Sequence, residues 1–115
     1  MEKPKLVRPA DAPENGFYRH CKRTDDMPEG EYVYEVIGVG PHTETGEIFV
    51  TYRPLYQSNV YLAGMMVDNR SLHDLDGNGF MDPKITPDGS VERFVRVIDE
   101  EEIKRLSYIR DKMYK

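Results

Sequence analysis

Apolar and polar residues alternate along much of this chain, and turn formers cut the alternation into short runs. In Glu31–Val39, Tyr32, Tyr34 and Val36 fall on one side and Val33, Ile37 and Val39 on the other, which predicts a strand interrupted on its second side by Glu35. Ile48, Val50 and Tyr52 align the same way across Ile48–Arg53. Between these runs, Pro41–Gly46 ends in Thr45-Gly46, whose glycine supplies the positive φ of a hairpin connection. Phe17–Lys22 predicts an earlier strand, followed by the polar loop Arg23–Gly30. Val60–Val67 is apolar enough for a fourth strand, with Gly64 and Met65-Met66 disturbing its exit, and Val91–Ile98 alternates as a fifth. The intervening Asp68–Ser90 contains Asp76-Gly77-Asn78-Gly79, Asp82-Pro83 and Pro87-Asp88-Gly89, and reads as a long insertion of the functional or disordered kind.

At Asp99 the period changes from strand to helix spacing. Asp99 can cap a helix with Glu102 three residues on, Glu100–Glu102 put negative charge at the helix start, and Ile103, Leu106, Ile109 and Met113 make one apolar stripe. These features predict a helix from about Glu100 to Lys112. A helix this short persists through tertiary contacts, so the stripe is assigned to the protein's own sheet, with a partner protein or a homodimer as the alternative. Five short strands followed by one helix predict a mainly β fold: an antiparallel sheet that closes, or nearly closes, on itself.

A length of 115 residues bounds the chain to one domain. Its expected organisation is a flexible or extended arm at 1–15, a small barrel at 16–98 carrying an insertion at about 68–90, and a packed helix at 99–115. Sixteen Lys and Arg against twenty-one Asp and Glu leave a net charge of −5, which opposes non-specific attraction to DNA or an anionic membrane. A nucleic-acid role therefore requires a local basic patch. Cys21 is the single cysteine, so the chain can build neither an internal disulfide nor a cysteine zinc cage, and a reducing cytoplasm is the expected compartment. Residues 1–15 lack the apolar run of a signal peptide and no stretch reaches transmembrane length, so neither export nor membrane insertion is expected.

The candidate chemistry lies mainly in the first half. Arg19, Arg53 and His20, interleaved with Tyr18, Tyr52 and Tyr56, can make a face for anions or bases, since guanidinium forks bind phosphate or carboxylate and tyrosines offer stacking surfaces. Alternation separates Arg19 from Tyr18 and His20, and Arg53 from Tyr52 and Tyr56; the plainer reading makes the tyrosines core edges and pairs the arginines with carboxylates. His42 and Glu44 share one hairpin and, with His20, contain the elements of an acid–base or two-His, one-carboxylate metal set. Holding the tight connection together is their plainer role. Cys21 follows His20 directly, and the opposed directions of neighbouring strand residues argue against a Cys–His dyad. Asp74, Asp76, Asn78 and Asp82 fall on calcium-loop positions one, three, five and nine, with Gly77 at six. Position twelve is Ile85, which has no carboxylate, and Pro83 and Pro87 break the following helix; Met66, Leu72 and Leu75 can begin one before the loop.

Tyr18-Arg19-His20, His42-Thr43-Glu44-Thr45-Gly46-Glu47 and Tyr52-Arg53-Pro54-Leu55-Tyr56, with Arg93-Phe94 near the end, resemble the bacterial family named domain of unknown function 1653. The resemblance implies a small SH3-like barrel over roughly Gly16–Val97 and implies no activity. The chain departs from the family by inserting Arg23–Gly30 and by reading Tyr61-Leu62-Ala63-Gly64 where members carry a Trp-x-Arg-Pro phrase; Arg70 takes that arginine's place only across a shifted alignment, and 68–86 reads as an insertion. Residues and resemblance together predict a cytoplasmic bacterial or phage protein: a non-catalytic module recognising a nucleotide, nucleic acid or peptide through Tyr18, Arg19, His20, Tyr52, Arg53 and Tyr56, assisted by His42 and Glu44. A hydrolase-like enzyme using His20, His42 and Glu44 is one alternative, and a calcium-stabilised adaptor is another. No cofactor is expected apart from that calcium.

Overall fold

The computed structural model describes residues 8–57, 64 and 67–114. Among them the chain forms β1 (Gly16–His20), β2 (Val33–Pro41), β3 (Ile48–Pro54), β4 (Asp68–Ser71), β5 (Lys84–Thr86), β6 (Gly89–Val91), β7 (Phe94–Arg96) and α1 (Glu100–Met113). One antiparallel sheet has the order β4-β3-β2-β1-β7, and β5 with β6 makes a separate hairpin. The expected mainly β fold with a C-terminal helix is present. Its sheet has two ends, β4 and β7, with no ladder joining them among the described residues, so the closure of a barrel is not part of this pairing.

The β2–β3 hairpin forms where the alternation and Gly46 place it, with Gly46 at φ 75°. Val36 pairs with Tyr52 and Gly38 with Thr51, which leaves Ile37 as the extra residue of a bulge. Because side chains alternate, this sheet has two covered faces. Tyr18, Tyr34, Val36, Val50, Tyr52 and Phe94 point to one, where Leu72 and Phe80 complete the cluster. Phe17, Val33, Leu55 and Val97 point to the other and meet Leu106 of α1.

The second half departs from its expected layout. Asp68–Ser90 is a structured plug: Phe80 lies 1% exposed, stacked on Phe94 with centroids 4.1 Å apart, and its N–H donates to the Ser71 carbonyl. Gly79 permits that return, since a Cβ there would stand 2.6 Å from His73 Cα and 2.7 Å from the Leu72 carbonyl oxygen. Among the described residues no helix precedes the loop; Leu72, just after β4, enters the core, while Leu75 is fully exposed. The expected strand Val91–Ile98 is divided, Val91 ending the small hairpin and Phe94–Arg96 pairing with β1. Most of the Val60–Val67 run lies outside the described residues. The last part of the arm is tied down: Arg8 donates to the Pro13 carbonyl, Tyr18 OH donates to the Glu14 carbonyl, and Asp11 reaches His73.

Helix α1 is built as its sequence predicts. The Asp99 carboxylate accepts from the Glu102 N–H, and Leu106 is buried with Ile103 and Ile109 packed beside it. No helix among the described residues is long and apolar enough to cross a membrane.

Candidate ligand-binding face

The pleat distributes the expected binding residues over two faces and the core. Tyr18 and Tyr52 are buried in the aromatic cluster on the plug face, Tyr18 lying edge-on to Phe80 at 5.6 Å and Tyr52 edge-on to Tyr34 at 5.5 Å. Their rings are core, as the plainer reading had it, and are not surfaces for stacking a ligand.

Arg19 and Arg53 project to the other face and fasten α1 there. Arg19 pairs with Glu102, whose carboxyl is thereby held below the usual range. Arg53 Nη2 lies 2.8 Å from Glu35 Oε1, and Arg110 Nη1 lies 2.7 Å from Glu35 Oε2, so one buried carboxylate sits between a strand arginine and a helix arginine. The guanidinium of Arg53 also covers the Tyr114 ring at 4.2 Å. The glutamate that breaks the apolar alternation of β2 is thus the anchor of the helix.

His20, at the end of β1, gathers a different set. Its ring centroid lies 5.1 Å from that of Phe94, 6.0 Å from Tyr32 and 6.5 Å from Tyr34. Tyr56 continues the series, 5.4 Å from Tyr32, and its hydroxyl shares a hydrogen bond with that of Tyr34. Tyr32 reaches this position with φ 55°, a left-handed conformation that a bulky residue rarely takes. The Arg70 guanidinium stands 5.7 Å from the centre of the Phe94 ring. Burial lowers the His20 pKa to about 4, and the positive charges of Lys22, Arg70, Arg93 and Lys84 push in the same direction. At neutral pH the imidazole is therefore uncharged; its Nδ1 accepts from the Lys22 N–H at 3.1 Å, leaving the proton on Nε2.

The remaining candidates fall elsewhere. His20 N–H donates to the Tyr32 carbonyl just before β2, whereas His42 follows the far end of this nine-residue strand. The two histidines are therefore roughly 25–30 Å apart, and do not meet in one site. His42 Nδ1 accepts from the N–H groups of Glu44 and Thr45 at 3.2 and 3.3 Å, which is the structural role of a turn residue. The strand argument against His20 and Cys21 meeting does not hold, because β1 ends at His20 and the chain turns: Cys21 Sγ lies 3.7 Å from His20 Nδ1.

The Asp74–Asp82 loop is held from inside. Arg93 donates to the Asp82 and Gly77 carbonyls at 3.2 Å each, and Arg70 to the Asn78 carbonyl at 3.1 Å. The Asp82 carboxylate accepts from Asp74 N–H, Gly79 N–H and His73, which keep its pKa down at about 2. Among the described residues no three His, Cys, Asp or Glu side chains converge as a metal set.

The aromatic end of the sheet, with the three strands that carry it, coincides with a family match. The family described as Protein of unknown function (DUF1653) matches residues 16–67. The resemblance to that family holds over this segment. The match takes in β1, β2 and β3, with His20, Tyr32, Tyr34 and Tyr56, and stops at Val67, short of the Val97 that the resemblance implied. The plug and α1 lie beyond it. No curated protein and no solved structure matches the chain.

Lys22, Tyr32, Arg70, Lys84 and Arg93 were not among the candidate binding residues of the sequence. Tyr32 carried a readable signal, since it aligns with Tyr34 and Val36 in the alternation. Lys84 carried none, and Arg70 and Arg93 stood out only through the family resemblance, because the approach of all three to His20 depends on how the second half folds back.

Proposed function

We propose that this protein is a non-catalytic binding module acting in a reducing bacterial or phage-infected cytoplasm, and that it holds a nucleotide or short single-stranded nucleic acid on the face around His20. The observation that carries the reading is the charge at that face. In a chain of net charge −5, four cations act on one histidine that is packed among Tyr32, Tyr34 and Phe94. Phosphates are attracted by such a cluster, and a base finds π surfaces beside it. A left-handed Tyr32 adds support, since strained backbone is characteristic of ligand sites. Arg19 and Arg53 have no part in this face; their carboxylate partners hold the helix.

The test is a residue-resolved amide NMR titration with short single-stranded oligonucleotides and mononucleotides at low salt. Shifts should concentrate at His20–Arg23, Tyr32, Tyr56 and Lys84. Replacing Lys22 by Ala should weaken oligonucleotide binding and flatten its salt dependence by about 0.7 in slope, since one phosphate is no longer neutralised. An unchanged spectrum, or shifts confined to α1, would remove the reading.

A further inference from the structure

The plug brings two arginines to one place. Arg70 pairs with Val50 across β4 and β3, so its side chain points to the same face as Phe94, and its Nη1 donates to the Asn78 carbonyl at 3.1 Å. Arg93 donates from Nη2 to the Gly77 carbonyl and from Nε to the Asp82 carbonyl, at 3.2 Å each. The two guanidinium groups are thus fastened to the carbonyls of consecutive residues, and both arginines line a depression of about 460 Å³ with Ser71, Asp74 and Asn78.

Arg93 is 7% exposed, yet among the described residues no carboxylate pairs with it; its hydrogen-bond partners are two neutral carbonyls. A charge withdrawn from water without an opposite charge is costly. Its Nη1 makes no hydrogen bond among the described residues, and no buried side-chain nitrogen there lacks a partner, so Nη1 reaches solvent. The wall carries two guanidinium groups against the one carboxylate of Asp74, since Ser71 is neutral and its hydroxyl donates to Glu47. An anion in the depression supplies the missing counter-charge. The depression also adjoins the aromatic face, because the Arg70 guanidinium and the His20 ring both stand against the Phe94 ring, at 5.7 and 5.1 Å.

Resting on the nucleotide reading above, we propose that this depression seats a terminal phosphate, the monoester of a mononucleotide or of a phosphorylated strand end, with the rest of the nucleotide on the His20 face. A terminal phosphate carries about −1.5 to −2 charge at neutral pH and three free oxygens, more than an internal phosphodiester offers, so two arginines at one seat favour the end of a strand over its middle.

The probes are inorganic phosphate against chloride at matched ionic strength, and a short oligothymidylate with and without terminal phosphates, read by amide NMR on the full chain. Inorganic phosphate should give saturable shifts at Arg70, Asp74, Gly77, Asn78 and Arg93, and terminal phosphates should tighten oligothymidylate binding about tenfold. Arg70→Gln should remove most of that gain. Because Arg93 also holds the loop, the second variant is Asp74→Asn, which takes the one carboxylate from the wall and should tighten phosphate severalfold. Equal binding of the two oligothymidylates, with shifts at Tyr32 and Tyr56, would overturn the terminal-phosphate seat and leave the nucleotide reading standing. Phosphate shifts at the depression, with no response of Tyr32 or Tyr56 to oligothymidylate, would support the seat and remove that reading. No saturable response to phosphate, or an Asp74→Asn protein that binds it less well than the parent, would overturn the seat outright.

Discussion

At the scale of single residues, the proposed face rests on Tyr32 and His20 at the end of the sheet. A left-handed non-glycine residue costs on the order of 1–2 kcal/mol, and the Tyr32 ring recovers part of that by packing on His20 and Tyr56. Tyr32→Gly should therefore change the urea midpoint little, because relief of the backbone offsets loss of the ring, while nucleotide binding falls markedly. A protein that is strongly destabilised, with binding retained, would make Tyr32 a structural residue. His20 predicts a pH effect of definite sign. Its folded pKa is about 4, below the value of about 6.5 for an unfolded histidine, so the unfolded chain takes up the proton first. Stability should fall as pH drops through about 6.5 toward 4, and His20→Gln should flatten that decline in thermal melts. His73 works oppositely: Asp82 and Asp11 raise its pKa, so its contribution is present at low pH and fades as pH rises through the raised value.

At the scale of elements, the decisive join is between the sheet and α1. Leu106 and Ile103 supply the apolar contact, and Glu35, Glu102 and Glu29 each receive an arginine across or beside it. Glu35 matters most because it is buried and bridges two arginines. Glu35→Ala leaves Arg53 and Arg110 facing each other, and should lower stability by about 3 kcal/mol in urea denaturation. Replacing all three residues together with apolar ones of similar volume should lose far less, since the cost lies in an uncompensated charge rather than in the absence of the pair. A mild Glu35→Ala phenotype would show that the ions contribute little and that the apolar stripe alone holds the helix. The strand alternation and the helix stripe each announced an apolar face, but alternation cannot say which side of a strand a distant helix will cover. For that reason ligand contact stayed open for Arg19 and Arg53, beside the plainer ion-pair reading, until α1 was in place.

For the whole molecule, the insertion is what joins core and candidate face. Phe80 sits among Tyr18, Tyr52 and Phe94, while the same insertion contributes Arg70 and Lys84, and the link that follows it Arg93, to the charges acting on His20. Phe80→Ala should cost about 3–5 kcal/mol and weaken ligand binding with it, checked by calorimetric melting and the same NMR titration. Loss of stability without loss of binding would separate the loop from the site.

The local pattern by itself determined the β2–β3 hairpin, its Gly46 turn, and the helix with its Asp99 cap and Leu106 stripe, because each depends on residues close in sequence. It also determined that Tyr18 and Arg19, or Tyr52 and Arg53, could not share a side. Tertiary packing decided that Asp68–Ser90 would be a plug, that Val91 and Phe94 would enter different sheets, and that the cations near His20 would come from three separate parts of the chain. Those outcomes rest on contacts between distant segments, whose partners no local period of apolar residues encodes.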